Sequence, residues 1–217
     1  MTGHKLLSLK SSRQLERRMN TPVDFSAWVL STTMTRFTVG CRALLPHVPQ
    51  FGDLVKVETA AEVAIFGLIY DVSVQDDLVV RQLILVDNLT REVAQDQQEN
   101  RLVPIEISVL IVGYQRFGEA INQGLPPQPP ASLDRLIVCD EVEVRSFTMR
   151  LDYLNLVLNT PRLMADELLV AHLARAALVR PAEQRYPFVV GAGRHLARLL
   201  DTDLMQLDYV LKRLKPR

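Results

Sequence analysis

The sequence predicts an α+β protein in which a small closed antiparallel β-barrel is followed by a helical C-terminal subdomain. Short apolar or alternating segments, separated by turn residues, recur through the first two thirds of the chain. Gly67 interrupts one of them at a point where a sheet can bend. From Leu151 the apolar spacing becomes helical. We therefore predict a basic N-terminal arm at residues 1–23, a barrel at 24–149 and a helical subdomain at 150–217.

One predicted corner of the barrel spans residues 51–73. Gly52 tolerates a positive φ and the side chain of Asp53 can bond its own backbone, so the chain can reverse before a short strand that begins at Leu54. A second, more apolar strand follows and contains Gly67, which predicts a bulge or a sharp bend.

Four further segments complete the predicted barrel. Residues 36–44 alternate apolar and polar side chains, which is typical of a half-buried strand. Residues 77–87 are nearly continuous in apolar side chains, and residues 105–114 alternate with many β-branched residues. The last strand is predicted at 136–147, with a break allowed near Asp140.

Two segments lack a strand pattern. The polar stretch at 88–100 is predicted to be a surface connection or a short exposed helix. The proline-rich stretch at 124–130 favours an extended geometry and lacks several backbone donors. It is therefore predicted to be a stiff connector.

Three helical stretches are predicted in the last third of the chain. Thr160 and Pro161 resemble a cap followed by the first helical position, and the helix they begin has one apolar face made by Leu163, Leu168, Leu169, Leu173, Ala176 and Ala177. A second helix is expected at 193–200. Asp201 and Asp203 can cap a third, whose basic C-terminal residues suit the helix dipole.

Composition limits the class of protein. The chain has 217 residues, of which 48% are hydrophobic and 23% are charged, so it can form one large domain or a barrel with an added subdomain. Its apolar runs are much shorter than the roughly 20 residues of a membrane span. Its first twenty residues lack the features of a secretory signal. We therefore expect a cytoplasmic protein without membrane contact.

The net charge of zero hides a division of charge along the chain. Residues 1–23 carry five basic residues and one acidic residue, a net charge of +4. Residues 24–149 have a net charge of −8, and residues 150–217 have a net charge of +4. An acidic barrel repels the phosphate backbone that dominates nucleic-acid affinity. It favours a basic protein surface instead, including the chain's own ends.

Cysteine and histidine give no metal or redox motif. Cys41 and Cys139 lie in apolar segments, where free thiols behave as small hydrophobic side chains. The four histidines have no metal-ligand spacing: His4, His47, His172 and His195.

Two glycine-containing stretches resemble nucleotide-binding motifs but lack residues that such sites require. The stretch at 113–120 has the glycine spacing of a P-loop, but Glu119 would repel phosphate and Ala120 cannot bind magnesium, so a turn at the end of a strand is predicted. The stretch at 189–193 resembles half of a dinucleotide motif without its third glycine. It is predicted to be a helix start, and its amides, near Arg194 and His195, remain a weaker candidate for an anion site.

The remaining chemically active side chains are assigned structural roles. The hydroxyl groups at 31–35 have no partner at an informative spacing. The carboxylates of Asp140, Glu141 and Glu143 are assigned to a solvated strand face, although paired acids can do acid–base chemistry or bind hard metals. Trp28, Phe37 and Phe117 are predicted to be core residues rather than a base-stacking surface. No catalytic, cofactor or metal site is predicted.

The order of segments resembles the HAS-barrel domain at the N-terminus of HerA-type ATPases, a barrel related in outline to subunits of rotary ATP synthases. The similarity covers about half of the chain, residues 36–148. It rests on the sequence FGDLV at 51–55, the strand with Gly67, and the proline-rich stretch before the strand that leads to Phe147. The RecA-like motor of that family is missing, and a helical segment follows instead. The resemblance therefore implies an assembly and docking module, and no catalytic residue can be transferred.

The favoured hypothesis is a non-enzymatic interaction or assembly module associated with a HerA-type DNA-translocating ATPase or its nuclease, or with itself. The alternative is an accessory nucleic-acid-binding protein that holds phosphates with the arm between Lys5 and Arg18 and with the basic C-terminal helices. An enzyme is not expected, because no nucleophile–base pair or metal cluster is evident.

Overall fold

The computed structural model describes residues 26–43, 48–74 and 103–214. Within them the chain forms six strands: β1 (Ala27–Thr32), β2 (Arg36–Ala43), β3 (Leu54–Glu58), β4 (Val63–Val74), β5 (Val103–Arg116) and β6 (Leu136–Val138). Five helices follow in the same part of the chain: α1 (Glu141–Phe147), α2 (Leu154–Leu158), α3 (Ala165–Leu178), α4 (Ala182–Leu199) and α5 (Leu204–Arg213). Among these helices none has the length and apolar character needed to cross a membrane.

The sheet is an open, curled half-barrel, so the prediction of a closed barrel is wrong. Its antiparallel strands follow the order β1-β2-β5-β4-β3-β6. Among the described residues, β1 forms no ladder with β6 and meets the far edge at an isolated bridge between Trp28 and Arg135 and at two hydrogen bonds of Val29 with Leu133 and Asp134. The contact stays an isolated bridge: the three residues of β6 pair with β3, and the chain then turns into α1.

The concave face of the sheet encloses one apolar core. Alternate side chains of the strands point into it because successive residues of a strand face opposite sides. Its buried members are Ala27, Val29, Phe37, Val39, Val48, Val55, Val57, Ile65, Ile69, Ile105, Ile107, Val109, Ile111 and Leu136.

A second core lies between the convex face and the helices. Leu54 of β3, Phe66 and Leu68 of β4, and Leu110 and Val112 of β5 share one cluster with buried residues of the helical segment. Strand β4 is thus covered on both faces. Its continuous apolar sequence is typical of a strand in that position.

Several strand predictions are confirmed. The segments predicted at 36–44 and 105–114 correspond to β2 and β5, and the turn before β3 contains Gly52 with φ +86°. The sheet also has an irregularity beside Gly67, because Phe66 pairs with Gly113 while Gly67 pairs with Ile111. The extra residue is therefore on β5. The segments predicted at 77–87 and 88–100 lie outside the described residues, and β1 was not predicted.

The prediction of a strand over residues 136–147 is wrong beyond β6. Asp140 caps α1: its Oδ1 accepts a hydrogen bond from Glu143 N (2.8 Å), while Glu143 Oε2 accepts one from Asp140 N (3.0 Å). This reciprocal capping box stabilises a helix start and outweighs the alternation of valine and glutamate that suggested a strand.

The helical predictions are correct in part. The predicted apolar face of α3 is buried at Leu168, Leu169, Leu173, Ala176 and Ala177. Its start at Pro161 is wrong, because the helix begins at Ala165. The start of α4 at Gly193 is also wrong, since the helix begins at Ala182 and includes Pro187. The cap of α5 is confirmed at Asp203, which accepts a hydrogen bond from Gln206 N (2.9 Å).

Candidate functional site

The two glycine motifs do not form phosphate-binding loops. Gly113 lies within β5, where a Cβ atom would come within 2.9 Å of Phe147 Cε2. The strand then ends in a turn at Gly118, whose φ is +77°, and this confirms the predicted strand-end turn. The second motif, residues 189–193, lies inside α4, so it presents no helix N-terminus to an anion.

The other candidate residues have diverse surroundings. Phe37 is in the core as predicted, but Trp28 is 44% exposed because it points outward from the edge strand β1. Ser31 Oγ lies 2.8 Å from Thr38 Oγ1 across the β1–β2 pair. Cys41 and His195 are half-buried, while His4 and His47 lie outside the described residues. Among the residues that the structure describes, no three potential metal ligands come together.

The carboxylates near Asp140 belong to a structural network with Lys56. Lys56 Nζ lies 2.8 Å from Glu143 Oε1 and 2.6 Å from Glu58 Oε1. Burial lowers the pKa of Lys56, but hydrogen bonds and charge interactions with the two carboxylates outweigh it and raise this pKa above its ordinary value. Lys56 therefore stays protonated and is not a catalytic base.

Cys139 and His172 line one small cavity of about 150 Å³, which also contacts Asp53, Glu141 and Arg175. Burial is the main reason that the pKa of the Cys139 thiol lies well above its ordinary value, and the neighbouring carboxylates of Glu143 and Asp140 add to it. A protonated thiol is a poor nucleophile. The pair therefore lacks the activation that cysteine catalysis requires.

Both ring nitrogens of His172 are already used in a buried bridge. Nδ1 donates to the carbonyl oxygen of Gly52 (3.0 Å), which leaves Nε2 to accept the hydroxyl hydrogen of Tyr153 (2.8 Å). Burial lowers the pKa of His172 to about 4, and the positive charges of Arg175 and Arg180 act in the same direction. The neutral ring thus fixes the turn before β3 to α2 and α3.

Ion pairing and aromatic packing strengthen this bridge. Arg175 Nη1 donates to Asp53 Oδ1 (2.5 Å), so α3 holds the turn by its side chains as well as by its core face. The rings of Phe66, Phe147, Tyr153 and His172 follow one another with centroid distances of 5.2, 5.1 and 5.6 Å. The turn identified in the sequence is therefore an anchor for the helices rather than an exposed loop.

Arginines of the helical segment are largely engaged in internal contacts. Arg180 is buried, donates to Thr148 Oγ1 (2.7 Å) and stacks on Phe188 with its guanidinium carbon 3.6 Å from the ring centroid. Arg145 donates to Val179 O (2.6 Å) at the C-terminal end of α3. Cations near a helix C-terminus interact favourably with the helix dipole. These charges consequently stabilise the fold.

A more open site lies at the β3–β4 turn and is here called the acidic groove. Two adjoining cavities of about 750 and 610 Å³ share the residues Thr59, Glu62, Val63, Arg116 and Phe117. The turn is ordered by hydrogen bonds from Thr59 N to Val63 O (3.0 Å) and from Glu62 N to Thr59 O (3.0 Å). Pro127 and Pro129 of the connector line the larger cavity.

Phe117 is the most exposed large apolar side chain of the groove, with 88% of its surface accessible. Its position is fixed by the backbone, because Phe117 N donates to Glu62 O (3.2 Å). Gln115 Nε2 also donates to Glu119 O (2.8 Å) and holds the same turn. The prediction that Phe117 belongs to the core is therefore wrong, because the residue falls in the turn that ends β5.

The lining of the acidic groove has a net charge of −3. It contains Lys56 and Arg116 against Glu58, Glu62, Glu119, Asp134 and Glu143. Lys56 is neutralised by Glu58 and Glu143. Glu62 and Glu119 form no ion pair with any residue in the described ranges. Their charges remain accessible to a binding partner.

Sequence comparison adds no relative to these observations: no protein-family model matches the chain, and no curated protein matches it.

Proposed function

We propose that the protein is a non-enzymatic interaction or assembly module that binds a partner protein in the acidic groove. The observation that carries this proposal is Phe117, an aromatic side chain 88% exposed beside the carboxylates of Glu62 and Glu119, which form no ion pair with another described residue. Exposed aromatic side chains on an ordered backbone are typical anchors of protein interfaces. The negative lining favours a partner that presents basic side chains around an apolar contact.

The turn geometry supports binding by a prearranged site. Phe117 and Glu62 are held together by a backbone hydrogen bond, so the main chain that carries their side chains needs little ordering when a partner binds. A site that is already ordered loses less conformational entropy on association. The groove can therefore act as a docking surface without a large change in the sheet.

The resemblance to HAS barrels supports a proposal about which class of protein binds in the groove. We infer a cytoplasmic setting in which the partner is a HerA-type DNA-translocating ATPase or its nuclease, with self-association as the other form of assembly. The open sheet departs from the closed barrel that this resemblance implied. The docking role rests on the groove and does not depend on closure.

Replacing Phe117 with serine is expected to remove the partner without unfolding the protein, since the side chain contributes little to the core. The measurement is affinity capture from the native source with tagged wild type and Phe117→Ser, followed by quantitative mass spectrometry. Met149→Ser is the matched control, because Met149 is 83% exposed and does not line the groove. We expect a HerA-type ATPase or nuclease to be enriched with wild type and Met149→Ser only.

Equal recovery of these partners by all three proteins would show that Phe117 is not the anchor. Recovery of unrelated metabolic enzymes alone would contradict the choice of partner class. Circular dichroism of each variant should match the wild type, which separates loss of binding from loss of folding.

A second candidate function, nucleic-acid binding, is favoured by the face of α4 that carries Arg194 and Arg198. Both are exposed, lie one helical turn apart, and make no ion pair with a described residue. If they hold phosphates, binding of labelled DNA or RNA will weaken steeply with salt and will decrease in Arg194→Gln/Arg198→Gln. Failure to bind at low salt would exclude this function.

A further inference from the structure

The acidic groove lies close to the place where the N-terminal segment enters the described chain. Ser26 precedes β1, and Val29 of that strand donates to Asp134 O (2.9 Å) and accepts from Leu133 N (2.9 Å). Asp134 and Ala131 line the larger cavity of the groove. Two strand residues separate Ser26 from Val29, and the three residue steps between them span about 10 Å. The segment before Ser26 thus begins near the groove.

The chemistry of that segment complements the groove. Residues 1–23 carry a net charge of +4, and their basic side chains are interspersed with leucines: Lys5, Leu6, Leu7, Leu9, Lys10, Arg13, Leu15, Arg17 and Arg18. The groove offers a net charge of −3 together with Phe117 and two prolines. Opposite charges across a contact favour its formation, and apolar side chains on both sides can be buried together.

Chain length permits the contact. Residues 19–25 join Arg18 to Ser26, and the eight residue steps between these two residues span at most about 29 Å when extended. The linker therefore allows the basic segment to reach the cavity that Glu62 and Glu119 line together with Asp134. Tethering converts binding into an intramolecular step with an effective concentration that reaches the millimolar range for short linkers.

From this placement we propose that residues 1–23 of the same chain bind in the acidic groove and compete there with the partner protein. The competition with a partner protein rests on the proposed function. The choice of residues 1–23 as the segment that fills the groove rests on charge and chain length. Removing positive charges from residues 1–23 should leave the groove free for the partner protein. The apparent affinity for the partner would then rise, because a larger fraction of molecules would be competent to bind.

The test is zero-length carbodiimide cross-linking of the full chain, which joins a lysine amine to a carboxylate only when the two are in contact. In monomeric wild type at low salt we expect linkage of Lys5 or Lys10 to Glu62 or Glu119. The matched variant Arg13→Gln/Arg17→Gln/Arg18→Gln keeps both lysines but weakens docking, so the linked peptides should decrease at least about fivefold. High salt should have the same effect, because it screens exposed charges.

A mixture of isotopically light and heavy chains identifies the source of the segment. Links within one chain support the proposal, whereas predominant light–heavy links would show that a second copy is the occupant and would overturn it. Links that favour carboxylates outside the groove, or no links at all, would also overturn it. If the arginine variant binds the partner with the same affinity as the wild type, the proposed competition is overturned. The proposed function is tested separately, by the loss of partner binding in Phe117→Ser.

Discussion

Replacing Gly52 with alanine is expected to destabilise the protein by about 3 kcal/mol or more. Gly52 has φ +86°, and a Cβ atom there would lie 2.8 Å from Ala171 Cβ and 3.0 Å from His172 N. The left-handed backbone costs an L-residue about 1–2 kcal/mol, and overpacking against a helix backbone adds roughly 1–3 kcal/mol. The turn would be displaced from α3, and the bond from His172 to Gly52 O would weaken.

Chemical denaturation of wild type and Gly52→Ala measures this loss. Gly118→Ala is the control, because Gly118 also has a positive φ, +77°, but has no atom within 4 Å of an added Cβ. It should lose only about 1 kcal/mol, the cost of the backbone conformation. Similar losses in the two variants would show that the turn is not packed against α3 as described.

Acid is expected to weaken the fold through His172. The unfolded histidine has its ordinary pKa near 6.5, whereas burial lowers the folded pKa to about 4. Between these values the unfolded state binds a proton that the folded state excludes, so the contribution of His172 is complete above pH 6.5 and is lost as pH falls through about 4. The full change is on the order of 3 kcal/mol.

The free energy of unfolding at several pH values, compared between wild type and His172→Gln, isolates this effect. Glutamine does not titrate, and its amide can still donate toward Gly52 O and accept from Tyr153. The stability difference between the two proteins should therefore shift in favour of His172→Gln as pH falls from 6.5 to 4. Parallel pH profiles would contradict a buried neutral His172.

Local patterns in the sequence predicted the central part of the sheet. Alternation identified β2 and β5, while Gly52 and Gly67 marked a tight turn and an irregular pairing. These features depend on neighbouring residues, whose side-chain alternation and backbone freedom are visible in sequence. Strand β1 was missed because its sequence continues into hydroxyl residues that resemble a loop.

Features set by distant contacts were not predicted. The sheet is open between β1 and β6, and the capping box of Asp140 and Glu143 begins a helix where a longer last strand was predicted. The acidic groove joins the β3–β4 turn, the end of β5 and the proline-rich connector. The sequence alone did not show that these segments meet, and Phe117 was therefore assigned to the core.

The central claim is that the acidic groove docks a protein, and its most direct test is the dissociation constant of the purified chain for the HerA-type ATPase or nuclease from the same source. Wild type and Met149→Ser should bind equally. Phe117→Ser should bind roughly 30-fold more weakly, as expected when an interface anchor worth about 2 kcal/mol is removed. An unchanged dissociation constant for Phe117→Ser, or no binding by the wild type to either protein, would contradict the account.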